Sequence, residues 1–388
     1  MNVTTNKFIR EHLRDNVRQL ALKPAPMGVD LLYALQQIAA RQILIKKVPS
    51  WAQNDQLVFP PHLSLEQCSS EATACYKASL LHGDTCVDLT GGMGIDTYFM
   101  SQNFRQMIYI EQQSALAHLT QQNFNILQST IVVHNMAAED YLSQMLPVDV
   151  LYIDPARRDT HGRKTVLLDD CTPNVVSLQH LLLEKATHVL IKLSPMLDIS
   201  LLMSELNHIK EVHIVAVDNE CKELLCLLER HFRGQTIFRS VNITPQHTQQ
   251  LVFTVDEEKN SSVTYATSVK QYLYEPNAAL LKVGAFKTVA ARFLLDKLHV
   301  NSHLYTSDVL IENFPGRSFE VINCTPFNKK TGQLLRSTYT QANITIRNFP
   351  LSVVLLRQKF QLKDGGDIFL FATTLANNEK VIISCRKP

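Results

Sequence analysis

The sequence predicts an α/β protein in which a mainly parallel sheet follows a helical region and precedes a smaller α+β region. Between residues 85 and 256, seven short apolar runs follow one another, most of them rich in β-branched residues. Helix-like stretches separate the first six runs, and this alternation is typical of a parallel sheet. Because a chain of 388 residues is long for a single core, we expect two to four domains.

The helical region covers residues 1–80. Apolar residues recur there at spacings of three and four, which is the period of an amphipathic helix. A serine with a glutamate close behind it opens the last of these segments and predicts a helix start. The predicted helices are FIREHLRDNVRQLAL, VDLLYALQQIAARQILIKKV and SLEQCSSEATACYKASLL, with FPPHL breaking the pattern.

The seven apolar runs are the predicted strands of the sheet. In chain order they read TCVDLT, RQMIYIE, TIVVHN, VDVLYIDP, HVLIKLSP, EVHIVAVD and QQLVFTVD. The last run belongs to QTIFRSVNITPQHTQQLVFTVDEE, which has no helix between its two halves. We therefore predict a hairpin that closes the edge of the sheet.

The C-terminal region is predicted to be α+β, in two small units, after a polar linker at DEEKNSS. A helical segment, LLKVGAFKTVAARFLLDKL, precedes the strands, and a second, LSVVLLRQKFQLK, lies among them. The predicted strands are SFEVINCT, QANITI, DIFLFATTL and KVIISCRK.

The composition is that of a soluble globular protein, with 45% hydrophobic and 19% charged residues. No apolar run approaches membrane-spanning length, and the N-terminal residues lack the apolar core of a secretion signal, so a cytoplasmic location is expected. The eight cysteines form no CxxC pair, and no histidine pair follows at finger spacing. We therefore expect buried free thiols and no metal site.

Charge is distributed unevenly along the chain. Residues 261–388 contain 16 Lys and Arg against 8 Asp and Glu, a net charge of +8, whereas residues 1–260 carry a net charge of −6. A basic C-terminal third on an acidic body is either a docking surface for a polyanion or an ordinary soluble surface. Charge alone does not separate these two interpretations.

A glycine cluster marks the end of the first predicted strand. VDLTGGMGID contains three of the chain's 12 glycines, at Gly91, Gly92 and Gly94. At a strand end that opens a helix, bare backbone and free N–H groups can receive a ligand. The D-x-x-G-G-x-G spacing differs from the dinucleotide-binding G-x-G-x-x-G, and Asp88 suits a ligand with a positive or polar head better than a pyrophosphate. The alternative is a tight turn without a ligand.

An acidic residue ends the second predicted strand. Glu111 lies 23 residues after Asp88, at the place where a carboxylate accepts both hydroxyl groups of a ribose. Alone, this glutamate is also compatible with a solvated charge. Together with the glycine cluster it favours a nucleoside site.

The stretches VDLTGGMGID, YIEQ and YIDPARRD, in this order and spacing, resemble the motifs of a class I S-adenosylmethionine-dependent methyltransferase. Most of the remaining chain resembles one bacterial group of these enzymes, which carries a ferredoxin-like domain and a C-terminal THUMP-like domain. The stretches that carry this second resemblance are EQCSSEATACYKA, YEPNAALLKVGAFK, HLYTSD, FPGRSFEV and RNFPLSV…LKDGGDIFLFATT.

This resemblance implies a Rossmann-like methyltransferase sheet, S-adenosyl-L-methionine as cofactor, and RNA binding by the C-terminal domains. The implied domains are an N-terminal helical region at 1–80, a class I methyltransferase domain at 81–258, a ferredoxin-like domain at 265–318 and a THUMP-like domain at 319–388.

The methyltransferase interpretation assigns roles to the residues around the glycine loop. The loop backbone lines the methionine part of the cofactor, and Asp88 holds its amino group directly or through water. Glu111 takes the ribose, and Gln112 and Gln113 lie beside it. The loop residues concerned are Thr90, Gly91, Gly92 and Gly94.

The adenine contacts are implied for VVHNMAAEDYL, after the third strand. The aspartate that is usual in this place is Met136 here, so the Ala137 N–H and the Met136 side chain are the predicted contacts. Glu139 is the alternative. A helix before the first strand often covers the bound cofactor, and its candidate residues, unless they only start a helix, are Gln67, Ser69, Ser70 and Glu71.

The fourth strand ends in LYIDPARRD, where amino methyltransferases read Asp/Asn-Pro-Pro-aromatic. Carboxylate and proline carbonyl groups there accept hydrogen bonds from a target nitrogen and keep its lone pair aimed at the methyl group. Asp154 and Pro155 fit this pattern, whereas Ala156 and Arg157 resemble the DPPR variant of RNA methyltransferases that act on carbon-5 of uridine. That chemistry needs a cysteine after the fifth strand, where this chain has Ser194. Because serine without a base is a poor nucleophile, a nitrogen target is favoured.

Basic residues accompany this motif. Arg157 and Arg158, with Arg163 and Lys164 behind them, either grip phosphate or are solvated loop charges. Lys192, within the fifth strand, either pairs with the strand-end carboxylate or touches the substrate, unless it lies on an edge strand. The predicted catalytic residues are Asp154, Pro155, Arg157 and Lys192.

The predicted function is S-adenosylmethionine-dependent methylation of a base nitrogen in structured RNA, either tRNA or rRNA. The alternative is a degenerate methyltransferase fold that serves as an RNA-binding or ribosome-assembly module, and the intact set of cofactor residues favours the enzyme. Methylation of a small molecule or a protein would leave the basic C-terminal third without a role. We expect no membrane partner, and the candidate phosphate contacts are Lys329, Lys330, Arg336, Arg347, Arg357, Lys359 and Lys363.

Overall fold

The computed structural model describes residues 2–60, 62–157, 168 and 171–388. The chain divides into two compact units. Unit 1 runs to Lys210 and also contains Leu224–Gly234; unit 2 contains Glu211–Glu223 and Gln235–Pro388. The mixed α/β class that the sequence predicts is confirmed.

The N-terminal part of unit 1 is helical, as predicted, but its helices are shorter than the periodicity suggests. FIREHLRDNVRQLAL is interrupted because the side chain of Asn16 accepts hydrogen bonds from the backbone of Arg18 and Gln19 and caps a new helix. In the last segment a helix likewise begins after Ser70, whose side chain accepts from Thr73 N. The helices are α1 Val3–Glu11, α2 Val17–Leu20, α3 Leu31–Lys47, α4 Pro49–Ala52, α5 His62–Gln67 and α6 Glu71–Leu80.

Strands and helices then alternate from residue 83 to residue 260. The strands are β1 Gly83–Asp88, β2 Phe104–Ile110, β3 Val132–His134, β4 Val148–Ile153, β5 Ala156–Arg157, β6 Cys171–Thr172, β7 Ala186–Leu193, β8 Ile209–Val217, β9 Glu220–Glu229, β10 Ile237–Ile243 and β11 Thr248–Thr254. The helices are α7 Ile95–Met100, α8 Ser114–Ile126, α9 Ala138–Gln144, α10 Val175–Lys185, α11 Ile199–Glu205 and α12 Val255–Asn260.

The sheet of unit 1 has the strand order β9-β7-β4-β1-β2-β3. The pairs from β7 to β3 are parallel, so the five predicted strands of this unit are confirmed. Parallel strands present their carboxyl ends at one edge, and the ends of β1, β2 and β4 therefore meet there. The strand β9 was not predicted; it pairs antiparallel with β7 and buries a continuous apolar run, Leu224–Leu228.

In unit 2, β10 and β11 form the predicted antiparallel hairpin, and β10 also pairs in parallel with β8. The linker predicted at DEEKNSS is wrong, because DEEKN belongs to helix α12. The side chain of Thr254 accepts a hydrogen bond from Glu257 N, and three acidic residues occupy the first turn of this helix, where they are favourable.

The C-terminal part of unit 2 contains a seven-stranded sheet, in the order β13-β14-β12-β15-β18-β17-β16. The strands are β12 Tyr272–Pro276, β13 Asp296–Lys297, β14 Tyr305–Ser307, β15 Gly316–Pro326, β16 Asn343–Arg347, β17 Phe369–Thr374 and β18 Lys380–Arg386. The helices are α13 Ala278–Val283, α14 Phe286–Phe293, α15 Thr331–Thr338 and α16 Val353–Phe360.

The four predicted C-terminal strands and the helix α16 are confirmed, whereas β12, β13, β14 and α15 were not predicted. The helix predicted over LLKVGAFKTVAARFLLDKL is broken, because Gly284 adopts a φ of +80° and ends α13. β15 pairs with both β12 and β18, so the strands of the two expected small units share this sheet.

Alternation along the strands packs both faces of this sheet. On β17 and β18, Phe371 and Ile383 belong to one apolar cluster, together with Phe319. Their neighbours in sequence, Leu370 and Ile382, belong to the other, which α15 and α16 cover. The period of two places successive side chains on opposite faces, which explains why apolar runs without polar interruptions form these strands.

All eight cysteines are free thiols, and four of them are buried, but Cys75 is exposed, contrary to the expectation for that residue. No helix among the described residues is long and apolar enough to span a bilayer.

Candidate functional site

The glycine loop joins β1 to α7 at the carboxyl edge of the unit 1 sheet. The Gly91 N–H donates to Ile110 O (2.8 Å), so the loop is bound to the end of β2. The carbonyl of Gly92 accepts hydrogen bonds from the hydroxyl groups of Tyr109 (2.6 Å) and Thr120 (3.2 Å). The loop backbone is therefore held in one conformation by the neighbouring strand and helix.

The three glycines of the loop lack a side chain for different physical reasons. A Cβ on Gly91 would lie 2.0 Å from the ring of Tyr109, and a Cβ on Gly94 would lie 2.5 Å from the ring of Phe124. Packing against aromatic rings therefore excludes side chains at these two positions. At Gly92, which has a φ of +56°, a Cβ would find only Thr90 O, at 3.9 Å. This is the loop glycine whose missing side chain leaves open space.

Asp88 ends β1 and is 1% exposed. Its Oδ1 accepts from Thr90 N (2.9 Å), and its Oδ2 accepts from the Thr97 hydroxyl (2.6 Å). Burial raises the pKa of Asp88 to about 7, although both hydrogen bonds act in the opposite direction. The carboxylate therefore holds the loop through two hydrogen bonds, and its pKa lies near neutral pH.

Glu111 follows β2 and joins two strand ends. Its Oε2 accepts from Gly92 N (3.1 Å), and its Oε1 accepts from Gln113 N (2.7 Å). The side-chain amide of Asn135, after β3, donates to the carbonyl oxygens of Glu111 (2.7 Å) and Gln112 (3.1 Å). The sequence interpretation did not single out Asn135, whose only signal is a polar side chain at the end of a strand.

The segment predicted to contact adenine follows β3. Ala137 is the N-cap residue of α9, and no side chain caps that helix. The sulfur of Met136 accepts from the side chain of Gln144 (3.8 Å). Gln112 is exposed beside this segment. These residues therefore lie along the ends of β2 and β3, next to Glu111.

Asp154 follows β4 and is connected to both neighbouring strand ends. Its N–H donates to the hydroxyl of Thr90 (2.6 Å), and its Oδ2 accepts from Lys192 Nζ (2.6 Å). Lys192 lies on β7, in the interior of the sheet, and not on an edge strand. The pairing of Lys192 with the strand-end carboxylate is the arrangement that the sequence interpretation offered first.

After Asp154 the chain leaves the sheet. Pro155 is buried, and the strand β5 pairs antiparallel with β6 through Ala156 and Arg157. The side chain of Arg157 lies outside the described residues. So do the other basic residues named for this loop, Arg158, Arg163 and Lys164.

A buried charge network lies behind Asp154. Asp96 accepts hydrogen bonds at Oδ2 from the hydroxyl groups of Ser69 and Tyr152 (both 2.7 Å). Lys77 Nζ lies 3.3 Å from Oδ1, and Lys192 Nζ lies 4.0 Å from Oδ2. Burial acts to raise the pKa of Asp96, but the two lysines and the two hydroxyl hydrogen bonds together outweigh it, and the pKa is lowered. Lys192 therefore stands between two carboxylates, Asp96 and Asp154.

The sequence interpretation missed Lys77, Asp96 and Tyr152. Lys77 is fully buried on α6, and a lysine in an otherwise apolar helical position was the available signal. Ser69 had been named as a candidate over the cofactor, and it donates to Asp96. Of the other candidates in that segment, Ser70 caps α6, and Glu71 accepts from the backbone and hydroxyl of Ser50.

The basic candidates of the C-terminal third differ in how far they are engaged. Arg347 pairs with Glu275, and Arg357 pairs with Asp364 at 2.6 Å. Lys359 lies over the ring of Phe327. The remaining members of the set are Lys329, Lys330, Arg336 and Lys363. Among the described residues, no group of three or more His, Cys, Asp or Glu side chains is arranged to hold a metal ion.

Two family models match the C-terminal part of unit 2. A ferredoxin-like domain model matches residues 272–315, and a THUMP domain-like model matches residues 316–387. No curated protein matches the chain.

A solved structure matches nearly the whole chain. It is a proposed methyltransferase from Porphyromonas gingivalis W83, which is 34% identical, with 99% of this chain and 98% of that chain covered and a TM-score of 0.89. M. capricolum TrmK in complex with S-adenosylhomocysteine is 12% identical over 41% of this chain and 68% of its own, with a TM-score of 0.33. An rRNA methylase from Streptococcus thermophilus is 15% identical over 41% and 94%, with a TM-score of 0.31. These last two are too distant to carry an argument.

The full-length match, the two domain matches and the strand-end motifs agree with the resemblance seen in the sequence. The chain belongs to the family of class I methyltransferases that carry a ferredoxin-like domain and a THUMP-like domain.

Proposed function

We propose that this chain uses S-adenosyl-L-methionine to methylate a nitrogen atom of a base in structured RNA, either tRNA or rRNA. The observation that carries the proposal is the hydrogen-bonded junction of three strand ends. Asp88 holds Thr90, Thr90 accepts from Asp154, and Glu111 accepts from Gly92. Cofactor residues and the reaction carboxylate are thereby fixed relative to one another within unit 1.

The residues present fit the cofactor. The open space beside Gly92 admits a ligand against the loop backbone, and a side chain at this position would fill that space. Each carboxylate oxygen of Glu111 accepts one hydrogen bond from the chain and keeps a further lone pair for a ribose hydroxyl. Burial raises the pKa of Asp88 to about 7, and a cationic amino group beside it would favour the ionised carboxylate. Ala137 and Gln112 would complete the adenosine contacts.

S-adenosylmethionine supplies an electrophilic methyl group when it is bound. The chain's part is to present the target atom. Lys192 occupies Oδ2 of Asp154, and no donor among the described residues occupies Oδ1, so that oxygen is the acceptor for an N–H of the target base. Pro155 restricts the backbone that follows the carboxylate. Asp154 then orients the target nitrogen and receives the proton that it releases.

A nitrogen target agrees with the residue after β7. Ser194 stands where covalent attack on carbon-5 of a pyrimidine would need a thiol, and its hydroxyl accepts a hydrogen bond from Met196 N (3.1 Å). A serine hydroxyl is a weaker nucleophile than a cysteine thiolate for such an attack. The choice of RNA as the substrate is supported by the THUMP domain-like match and by the net charge of +8 over residues 261–388.

The test is methyl transfer by the full-length protein to bulk tRNA and rRNA isolated from a strain that lacks it. Labelled methyl groups should appear on one nucleoside, which mass spectrometry identifies as N-methylated. Glu111→Gln should weaken the binding of S-adenosylhomocysteine in calorimetry, and Glu184→Gln, an exposed change on α10, is the matched control. Binding of the cofactor product without transfer to any RNA would favour the alternative, a module that binds RNA without catalysis.

A further inference from the structure

Two arginines of unit 2 share one buried carboxylate. Glu275, on β12, is 2% exposed. Arg317 donates to its Oε2 from Nε (2.8 Å) and from Nη2, and Arg347 donates to its Oε1 from Nε (3.0 Å) and Nη2 (2.8 Å). Both guanidinium groups are therefore fixed side by side, because each is bound to a different oxygen of the same group.

Glu275 uses only part of each guanidinium group. The side chains of Arg317 and Arg347 are 37% and 34% exposed. A guanidinium group has five N–H donors, and none of the described residues accepts a hydrogen bond from Nη1 of either arginine. Each arginine therefore keeps donors that solvent or a ligand can reach.

The surroundings carry a surplus of positive charge. Lys387 Nζ lies 4.9 Å from the centroid of the Phe319 ring, and the Arg317 guanidinium carbon lies 5.5 Å from the same ring. Burial and the nearby Arg317 lower the pKa of Lys387. Three cations thus lie around a single carboxylate, and an anion would relieve their mutual repulsion.

We propose that Arg317 and Arg347 form a binding site for one phosphate group of an RNA backbone, with Glu275 as the residue that positions both. Two preorganised guanidinium forks match the oxygens of a phosphate group, and little side-chain entropy is left to lose. Phe319 is fully buried and offers no face to a base, so the site contacts backbone and not sequence. The site rests on the proposed function for its RNA ligand.

The experiment measures filter binding of bulk tRNA to the full-length protein over a series of salt concentrations. Arg317→Ala, Arg347→Ala and the double variant are compared with Arg386→Ala. The control removes the same charge from the same sheet, at an arginine that is 60% exposed and paired with Glu320. Each single variant should bind roughly tenfold more weakly near physiological salt, because hydrogen bonds to charged groups are lost.

The salt dependence tests the shared site. Each single variant should lower the slope of log affinity against log salt by roughly 0.7–0.9, and the double variant by much less than twice that, since one phosphate is lost. If the single variants bind RNA like Arg386→Ala, the site is refuted. If the double variant lowers the salt slope by twice as much as each single variant, the two arginines do not share one phosphate group. If unfolding curves show that an alanine variant is unfolded, Arg317→Lys and Arg347→Lys replace it. The lysine variants keep a positive charge beside Glu275 but lose the forked guanidinium group. Weaker RNA binding is therefore expected, and unchanged binding refutes the site.

This outcome is separable from that of the proposed function. Tight, salt-dependent RNA binding that the alanine variants weaken supports the site even if no methyl group is transferred. If the wild-type protein binds no RNA at low salt, the phosphate site is refuted, whatever calorimetry shows for S-adenosylhomocysteine.

Discussion

Replacing Gly92 by alanine should separate ligand binding from folding. A residue other than glycine at a φ of +56° costs about 1–2 kcal/mol, and the new Cβ would meet no atom closer than 3.9 Å. The free energy of unfolding should therefore fall by about that amount only. The same Cβ would project into the open space where we place the methionine part of the cofactor, so affinity for S-adenosylhomocysteine should fall at least tenfold, which is about 1.4 kcal/mol.

Calorimetric titration and denaturant unfolding of the same preparations measure the two effects. Gly284→Ala is the matched control: its φ is +80°, its nearest contact is also at 3.9 Å, and it lies in unit 2. It should lose similar stability and keep full affinity. Gly91→Ala should instead lose its fold, because its Cβ would lie 2.0 Å from the Tyr109 ring. Unchanged affinity in a folded Gly92→Ala protein would refute the site.

Three further predictions follow from the same contacts. Because burial raises the pKa of Asp88 from 3.8 to about 7, its contribution to stability is present below pH 3.8 and is lost as the pH rises through 7; Asp88→Asn should flatten this dependence in unfolding experiments. Calorimetry at pH 7 in buffers of different ionisation enthalpy should also show proton release on cofactor-product binding. Asp154→Ala should abolish methyl transfer with little loss of cofactor affinity, whereas Ser194→Ala should remain active; near wild-type transfer by the first variant would contradict its assignment. Asp96→Asn should lower the free energy of unfolding by about 3–5 kcal/mol, because it removes a negative charge that lies 3.3 Å from the buried Lys77, and an unchanged denaturation midpoint would exclude this.

The strands of unit 1 could be predicted because each is a short apolar run between two helical segments. The antiparallel strand β9 could not, because ECKELLCLLE is rich in leucine, a good helix former, and its apolar part, LLCLL, shows no alternation. The break between α13 and α14 was also hidden, since a single glycine is tolerated within a helical pattern until its φ is known. Local periodicity therefore located the strands well and the element boundaries less well.

Part of the candidate site was visible in the sequence because it belongs to strand ends. Asp88, Glu111 and Asp154 each follow an apolar run, and parallel strands bring such residues to one edge. The glycine loop was located for the same reason, but sequence alone did not separate Gly92 from Gly91 and Gly94. That distinction depends on the positions of Tyr109 and Phe124, which only the packed structure provides.

The network behind Asp154 was invisible for a physical reason. Lys77 and Asp96 are 19 positions apart on two helices, and Lys192 comes from a distant strand, so no spacing rule relates them. A buried ion pair gives little net stability compared with apolar packing, because desolvation opposes the attraction between the charges. Its benefit lies instead in position: Lys192 sits between Asp96 and Asp154, and any change in the charge of Asp96 alters how firmly Lys192 holds Oδ2 of Asp154. The orientation of Asp154, the carboxylate that we propose faces the target base, therefore depends on the charged residues packed behind it.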